Sequence, residues 1–230
     1  MFGLAGDRRR LVIAAQYALG AVALGLGALG IGGYGLGLLW PAMSLALVAG
    51  NYVIFGPDGF RKRPDGRIEL PAMVLFAPYM MGAWINSRIW TRAEPRQVSV
   101  RQGIMLGRIP SRREATQFAT IIDLCAEFPA TSRQVNWRSF PMLDLVPPDA
   151  SRLRAAVAAI EEARANGTVL VCCALGYSRS ACALACWLLS GGHAANVSDA
   201  VEQIRRVRPR IVLSDDDMVA IANAVSREVG

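Results

Sequence analysis

The sequence predicts an α/β domain with a small, mainly parallel sheet flanked by helices, preceded by a transmembrane helical hairpin. Three observations predict it. From about Val98 onward, short β-branched runs alternate with amphipathic stretches that carry helix caps. Ahead of them, no charged residue occurs between Arg10 and Asp58. Finally, "VLVCCALGYSRSA" (residues 169–181) passes from an apolar strand-like run into a helix within a few residues.

The N-terminal third comes first. Residues 11–30 and 36–55 are each close to the ~20 apolar residues that cross a bilayer, and the glycine-rich "IGGYG" between them reads as a tight turn. A cleavable signal peptide is the competing reading of "DRRR" followed by an apolar run, but the run is too long and a second follows at once. Arg8, Arg9 and Arg10 precede the hairpin; Arg61, Lys62, Arg63 and Arg67 follow it. Positive-inside asymmetry therefore puts both flanks in the cytoplasm, which in a bacterium means the inner membrane with the remaining chain on its cytoplasmic side. Residues 70–86 form a third apolar stretch, interrupted by Pro71 and Pro78 and followed by Arg88, Arg92 and Arg96. An interfacial or re-entrant helix is preferred there to a third span. The expected division is a membrane anchor over 1–97 and a soluble domain over 98–230.

In that domain "VSVRQGIMLGRIP" reads as a hairpin pair, "ATIIDLCAEF" and "VNWRSFPMLD" as strands, and "TVLVCC" as a buried strand. Helices are expected over "DASRLRAAVAAIEEARANG", capped by Asp149 or Ser151, over "SRSACALACWLLSGG", and over two later segments with Ser/Asp starts.

The 230 residues are 53% hydrophobic with a formal charge of +7. A basic balance fits an anionic membrane face or an anionic substrate. Nucleic acid fits worst and is not expected as a partner, because the arginines are dispersed and no binding motif appears. Five cysteines without paired zinc spacing argue against a disulfide framework or metal centre, and the single histidine, His193, against His-dependent triads. Cys182 and Cys186 read as core residues, and Arg205, Arg206, Arg208 and Arg210 as a solvated helix face.

Counting from Cys173 through Ala174, Leu175, Gly176, Tyr177 and Ser178 to Arg179 gives C-x5-R, with Ser180 next. A loop that leaves a strand and enters a helix N-terminus can converge its amides on a phosphate, with Arg179 forking two of its oxygens. The same partial positive charge favours the thiolate of a cysteine at the loop base. Cys172, one residue earlier, alternates to the other side of the strand and packs. A buried thiol beside a surface arginine is the bland alternative, and the coincidence of spacing, strand and helix weighs against it.

Here the chain resembles the cysteine-dependent protein tyrosine phosphatases, in particular the compact dual-specificity branch. "CCALGYSRS" meets the pattern H-C-x-x-G-x-x-R-[ST] except at its first position, where Cys172 replaces His. The likeness extends from about Ile104 to the C-terminus. It implies a phosphate loop of residues 174–179, Cys173 as nucleophile, Arg179 as phosphate clamp, and Ser180 assisting the departing thiolate. It also implies an upstream aspartate as general acid: Asp144 matches the branch's Pro-x-x-Asp, whereas Asp149 reads better as a helix cap. No cofactor is implied. The resulting expectation is a membrane-anchored phosphatase acting through a cysteinyl-phosphate, on a phosphorylated lipid head group. Its alternatives are a phosphoprotein phosphatase near the membrane and an inactive phosphate-binding adaptor. Asp123 and Glu127 are weighed as pocket-rim or structural residues.

Overall fold

The computed structural model describes residues 3–226. It opens with α1 (Gly3–Ile31) and, after a 3-10 turn over Gly33–Leu38, α2 (Leu39–Gly50). The connection predicted as a tight turn is therefore helical. A π turn (Asn51–Phe55) and a 3-10 turn (Gly56–Phe60) prolong α2. Two helical stretches, Arg8–Ile31 and Gly33–Phe60, are long and apolar enough to cross a membrane by length and composition. Leu19, Val22, Leu26 and Leu29 on α1, and Trp40 and Met43 on α2, are exposed. Toward the other end of the pair, Ile13, Ala14, Val48 and Tyr52 are buried in a small core with Phe60, Phe76 and Met80.

The third apolar stretch forms one helix, α3 (Leu70–Trp90), running four residues past its expected end with Pro78 inside it. A proline there removes the N–H that would bond Val74. The indole Nε1 of Trp40 donates to the Val74 carbonyl instead (3.0 Å), and the Tyr79 N–H donates to Ser44 Oγ (3.3 Å). Two hydrogen bonds at the proline turn thus help to join α3 to α2.

Five strands follow: β1 (Gln97–Arg101), β2 (Ile104–Arg108), β3 (Thr120–Cys125), β4 (Asn136–Met142) and β5 (Val169–Cys173). They pair in the order β1-β2-β5-β3-β4; β1 is an antiparallel edge and the other pairs are parallel. Every residue of β3 and β5 is buried, as strands covered on both faces require. The helices are α4 (Arg112–Ala115), α5 (Ala150–Arg164), α6 (Arg179–Ser190), α7 (Val197–Val207) and α8 (Asp215–Ser226). Asp149 caps α5, accepting from the Ser151 and Arg152 amides. Cys182 and Cys186 lie in the core, as expected.

Residues 61–68 join the two parts. Their carbonyls accept from the sheet domain, Pro64 from the Ser139 amide and Gly66 from the Ala130 amide, both at 2.8 Å. This covers part of the β4 edge. Gly66 has φ 77°, and a Cβ there would lie 2.4 Å from Trp137, so no other residue fits. Lys62, its side chain fully buried, donates to Asp123 inside β3 (2.5 Å) and to the Cys125 carbonyl (2.6 Å).

Candidate active site

Parallel strands present their C-terminal ends to a common crevice, and the site lies there. Cys173 ends β5, in register with Arg108 at the end of β2, and α6 begins six residues later at Arg179. The intervening loop is held from several directions. Gly176 adopts φ 73° and sits so close to β2 that a Cβ would be 2.6 Å from the Gly107 carbonyl, which only glycine permits. The Ser87 hydroxyl of α3 donates to the Ala174 carbonyl (2.6 Å), and Arg208 donates to the Leu175 carbonyl (2.9 Å) and the Pro95 carbonyl (3.0 Å). The Tyr177 carbonyl accepts from the Val212 amide (2.9 Å), and its ring lies under the Arg208 guanidinium. Arg208 is 1% exposed, so its place in a solvated helix face is corrected: its run ends the helix and turns this one arginine inward.

At the loop base the Cys173 sulfur receives the Gly176 N–H (3.2 Å) and the Ser180 hydroxyl (3.3 Å). Its neighbour Cys172 is buried in the sheet, where desolvation and the nearby Asp123 push its thiol well above the ordinary range. Cys125 and Cys182 are raised in the same direction, first by burial.

Arg179 is buried in a cage of acceptors. Its two terminal nitrogens meet the two oxygens of Glu127 at 2.8 Å each, one also donates to the Met142 carbonyl (3.0 Å), and the other lies 3.2 Å from Asp144. Burial alone would depress the guanidinium, but Asp144 and Glu127 outweigh it and hold it charged. Burial likewise pushes Glu127 up, and the Arg179 charge and hydrogen bonds overcome that and hold its carboxyl below its usual range. Asp144 moves the opposite way. Desolvation in the cleft raises it, Glu127 adds to the rise, and the pull of Arg179 offsets only part. Two carboxylates around one guanidinium are thus driven apart, one ionised and one inclined to keep a proton. The Arg179 Nε is buried without a partner, a donor that an anion at the loop would satisfy.

All four residues singled out in sequence, Cys173, Arg179, Asp144 and Ser180, are brought to one place with the 174–178 loop. Glu127 is the main addition. It follows β3, whose C-terminal end points at the crevice, and that position is the signal that could have promoted it. The Tyr52 hydroxyl donates to the Asp144 carbonyl (3.0 Å), tying the aspartate loop to α2's extension. Nothing in the sequence announced this contact or that of Ser87.

The cleft above the loop has a volume of about 450 Å³ and is shared between the sheet domain, through Glu127, Asp144 and Leu175, and the three N-terminal helices, through Tyr17, Leu45 and Ala83.

The model of the dual specificity phosphatase catalytic domain matches residues 108–223. Among solved structures, Tk-PTP in its active form is 24% identical, with a TM-score of 0.52 over 58% of this chain and 99% of that one. Human DUSP28 is 20% identical (TM-score 0.50, 59% and 97% covered). PTPMT1 in complex with PI(5)P is 16% identical (TM-score 0.52, 58% and 96% covered). These structures share the fold. Half of the chain falls within the family model, and its C-x5-R loop closes on the end of a parallel sheet: the chain belongs to the dual specificity phosphatases, phosphoric monoester hydrolases of the protein tyrosine phosphatase type.

Proposed function

We propose that this cysteine-dependent phosphatase is held in a membrane by α1 and α2 and hydrolyses a phosphorylated lipid head group at the cytoplasmic leaflet. The observation that carries this reading is the composition of the cleft: Ala174 and Leu175 of the phosphate loop line it together with residues of the three N-terminal helices, among them the apolar Pro41, Leu45 and Ala83. A soluble phosphopeptide needs no such wall. The solved PTPMT1 complex with PI(5)P is a precedent for a phosphorylated lipid bound by a protein of this fold.

In the proposed mechanism the substrate phosphate satisfies Arg179 Nε and displaces Asp144 from the guanidinium. Glu127 keeps its two contacts and holds the guanidinium plane in place. The Cys173 sulfur attacks phosphorus in line, and the bond to the leaving oxygen breaks as Asp144 gives that oxygen its proton. A water then attacks the cysteinyl-phosphate. Asp144 takes its proton, the S–P bond breaks, and inorganic phosphate leaves while Ser180 donates to the returning sulfur. Arg179 and the start of α6 offset the charge on the equatorial oxygens in both steps.

A phosphoprotein substrate is the rival reading. The two separate on one measurement: phosphate release by the full chain in detergent from phospholipid micelles and from phosphotyrosine or phosphothreonine peptides, compared as kcat/KM. Peptide turnover above lipid turnover would sink the lipid reading.

A further inference from the structure

The cleft carries information about which lipid, and this inference rests on the lipid reading above. Among the described residues that line it, none is lysine or arginine. Arg179 is bound to the two lining carboxylates, Glu127 and Asp144, and the exposed Arg9 acts on Asp144 from outside the lining. A second phosphate a few ångströms from the first would meet those carboxylates and an apolar wall, with only the neutral donors Tyr17, Tyr79 and Asn86 to replace its water.

The apolar wall begins immediately above the loop. Leu175 belongs to the loop itself, and Leu45, Pro41 and Ala83 face it. Leu145 adjoins the aspartate, with a left-handed φ of 60° and a side chain left exposed at the cleft. A non-glycine residue in that region is strained, and surrounding structure must hold it in place. On α1, Tyr17 lines the cleft, and Leu19, Val22 and Leu26 continue the helix beyond it as exposed apolar surface.

We propose that the substrate is an amphiphile whose single phosphomonoester is joined directly to its apolar body, the phosphatidate class. Leu45, Ala83 and Leu145 then determine specificity by receiving the first carbons beyond the ester. A polyol lipid with its phosphomonoester on the far side of a charged diester would bring a second charge to this wall.

The test uses the full chain in mixed micelles and measures phosphate release from phosphatidate, a phosphatidylinositol monophosphate, a phosphotyrosine peptide and an aryl phosphate. The expected kcat/KM is about tenfold or more higher for phosphatidate than for the inositol lipid, the order of discrimination a pocket of this kind supplies. Ala83→Trp fills the wall and lowers the phosphatidate-to-aryl-phosphate ratio by about tenfold, and Leu45→Arg shifts preference toward the inositol lipid. Leu145→Ser alters an exposed position and lowers the same ratio even should the helix variants fail to fold. Preference for the inositol lipid would overturn this inference and leave the lipid reading standing; preference for the peptide would overturn both. Ratios unmoved in the variants that fold would remove the role assigned to the wall.

Discussion

Two buried ion pairs lie near the C-terminal half of β3, built from acids four residues apart, and they behave differently. Asp123 is saturated: Lys62 and the Trp137 indole donate to one oxygen, the Cys125 amide to the other. Lys62 in turn reaches the Cys125 carbonyl. Glu127 engages Arg179 just as fully, but the guanidinium keeps one buried N–H with no partner and a third carboxylate contact that a ligand can displace. The first pair fastens the chain that follows the hairpin into the sheet. The second leaves binding capacity unspent at the bottom of a cleft. Burial of charge by itself does not separate a fastener from a site; what separates them is whether every donor and acceptor is already used.

The comparison can be broken from either side. The largest effect is expected at the sulfur that the second pair serves. Cys173→Ser should lower aryl-phosphate turnover by at least about a thousandfold with the fold intact, since the hydroxyl cannot replace the thiolate as nucleophile. Phosphate release under reducing conditions, alongside circular dichroism, measures this, and near-normal turnover would end the covalent mechanism. Arg179→Lys keeps a charge but loses the planar fork, and should cost about a hundred- to a thousandfold in kcat/KM.

Asp144→Asn should cost about a hundredfold on alkyl phosphates, whose leaving oxygen needs the proton. Its signature is in the pH profile. Because Asp144 is raised, the wild-type rate should hold while the carboxyl stays protonated and fall as pH rises through its value. The variant should lose that alkaline fall, and a profile of unchanged shape would reassign the acid.

Glu127→Gln should reduce turnover about tenfold by loosening the guanidinium, and it sharpens the comparison through stability. The Glu127 carboxyl is held below its unfolded value, so its contribution is present above the unfolded pKa and is lost as pH falls through the folded one. The Tm gap between wild type and variant should therefore close on acidification. Lys62→Met should have the smallest catalytic effect. It leaves Asp123 buried without its cation, a loss of about 3–5 kcal/mol in stability, while the shape of the pH–rate profile stays the same.

The parts of the site legible in sequence are those the chain holds within a few bonds of one another. Cys173, Gly176, Arg179 and Ser180 belong to one strand–loop–helix unit whose spacing carries its own geometry, whereas Asp144 was singled out only through the family resemblance, by its Pro-x-x-Asp match. Glu127 was in view but undecided, because an acid after a buried strand has no visible partner until Arg179 is folded over it. Arg208 was misplaced for a related reason: a basic run reads as a solvated face, and a single inward turn within it leaves no periodic trace. Ser87 touches the loop across 87 positions of sequence, a contact no local pattern encodes.

Alternation of apolar and polar residues, cap chemistry and the spacing of one motif were enough to specify an α/β layer, the apolar hairpin ahead of it and a phosphate-binding turn, because each depends on neighbours along the backbone. Which acid holds the arginine, which carboxyl is driven toward its protonated form, and that three N-terminal helices roof the cleft emerged from packing alone. Those properties depend on burial and on partners brought together across the fold, and neither exists until the chain has closed on itself.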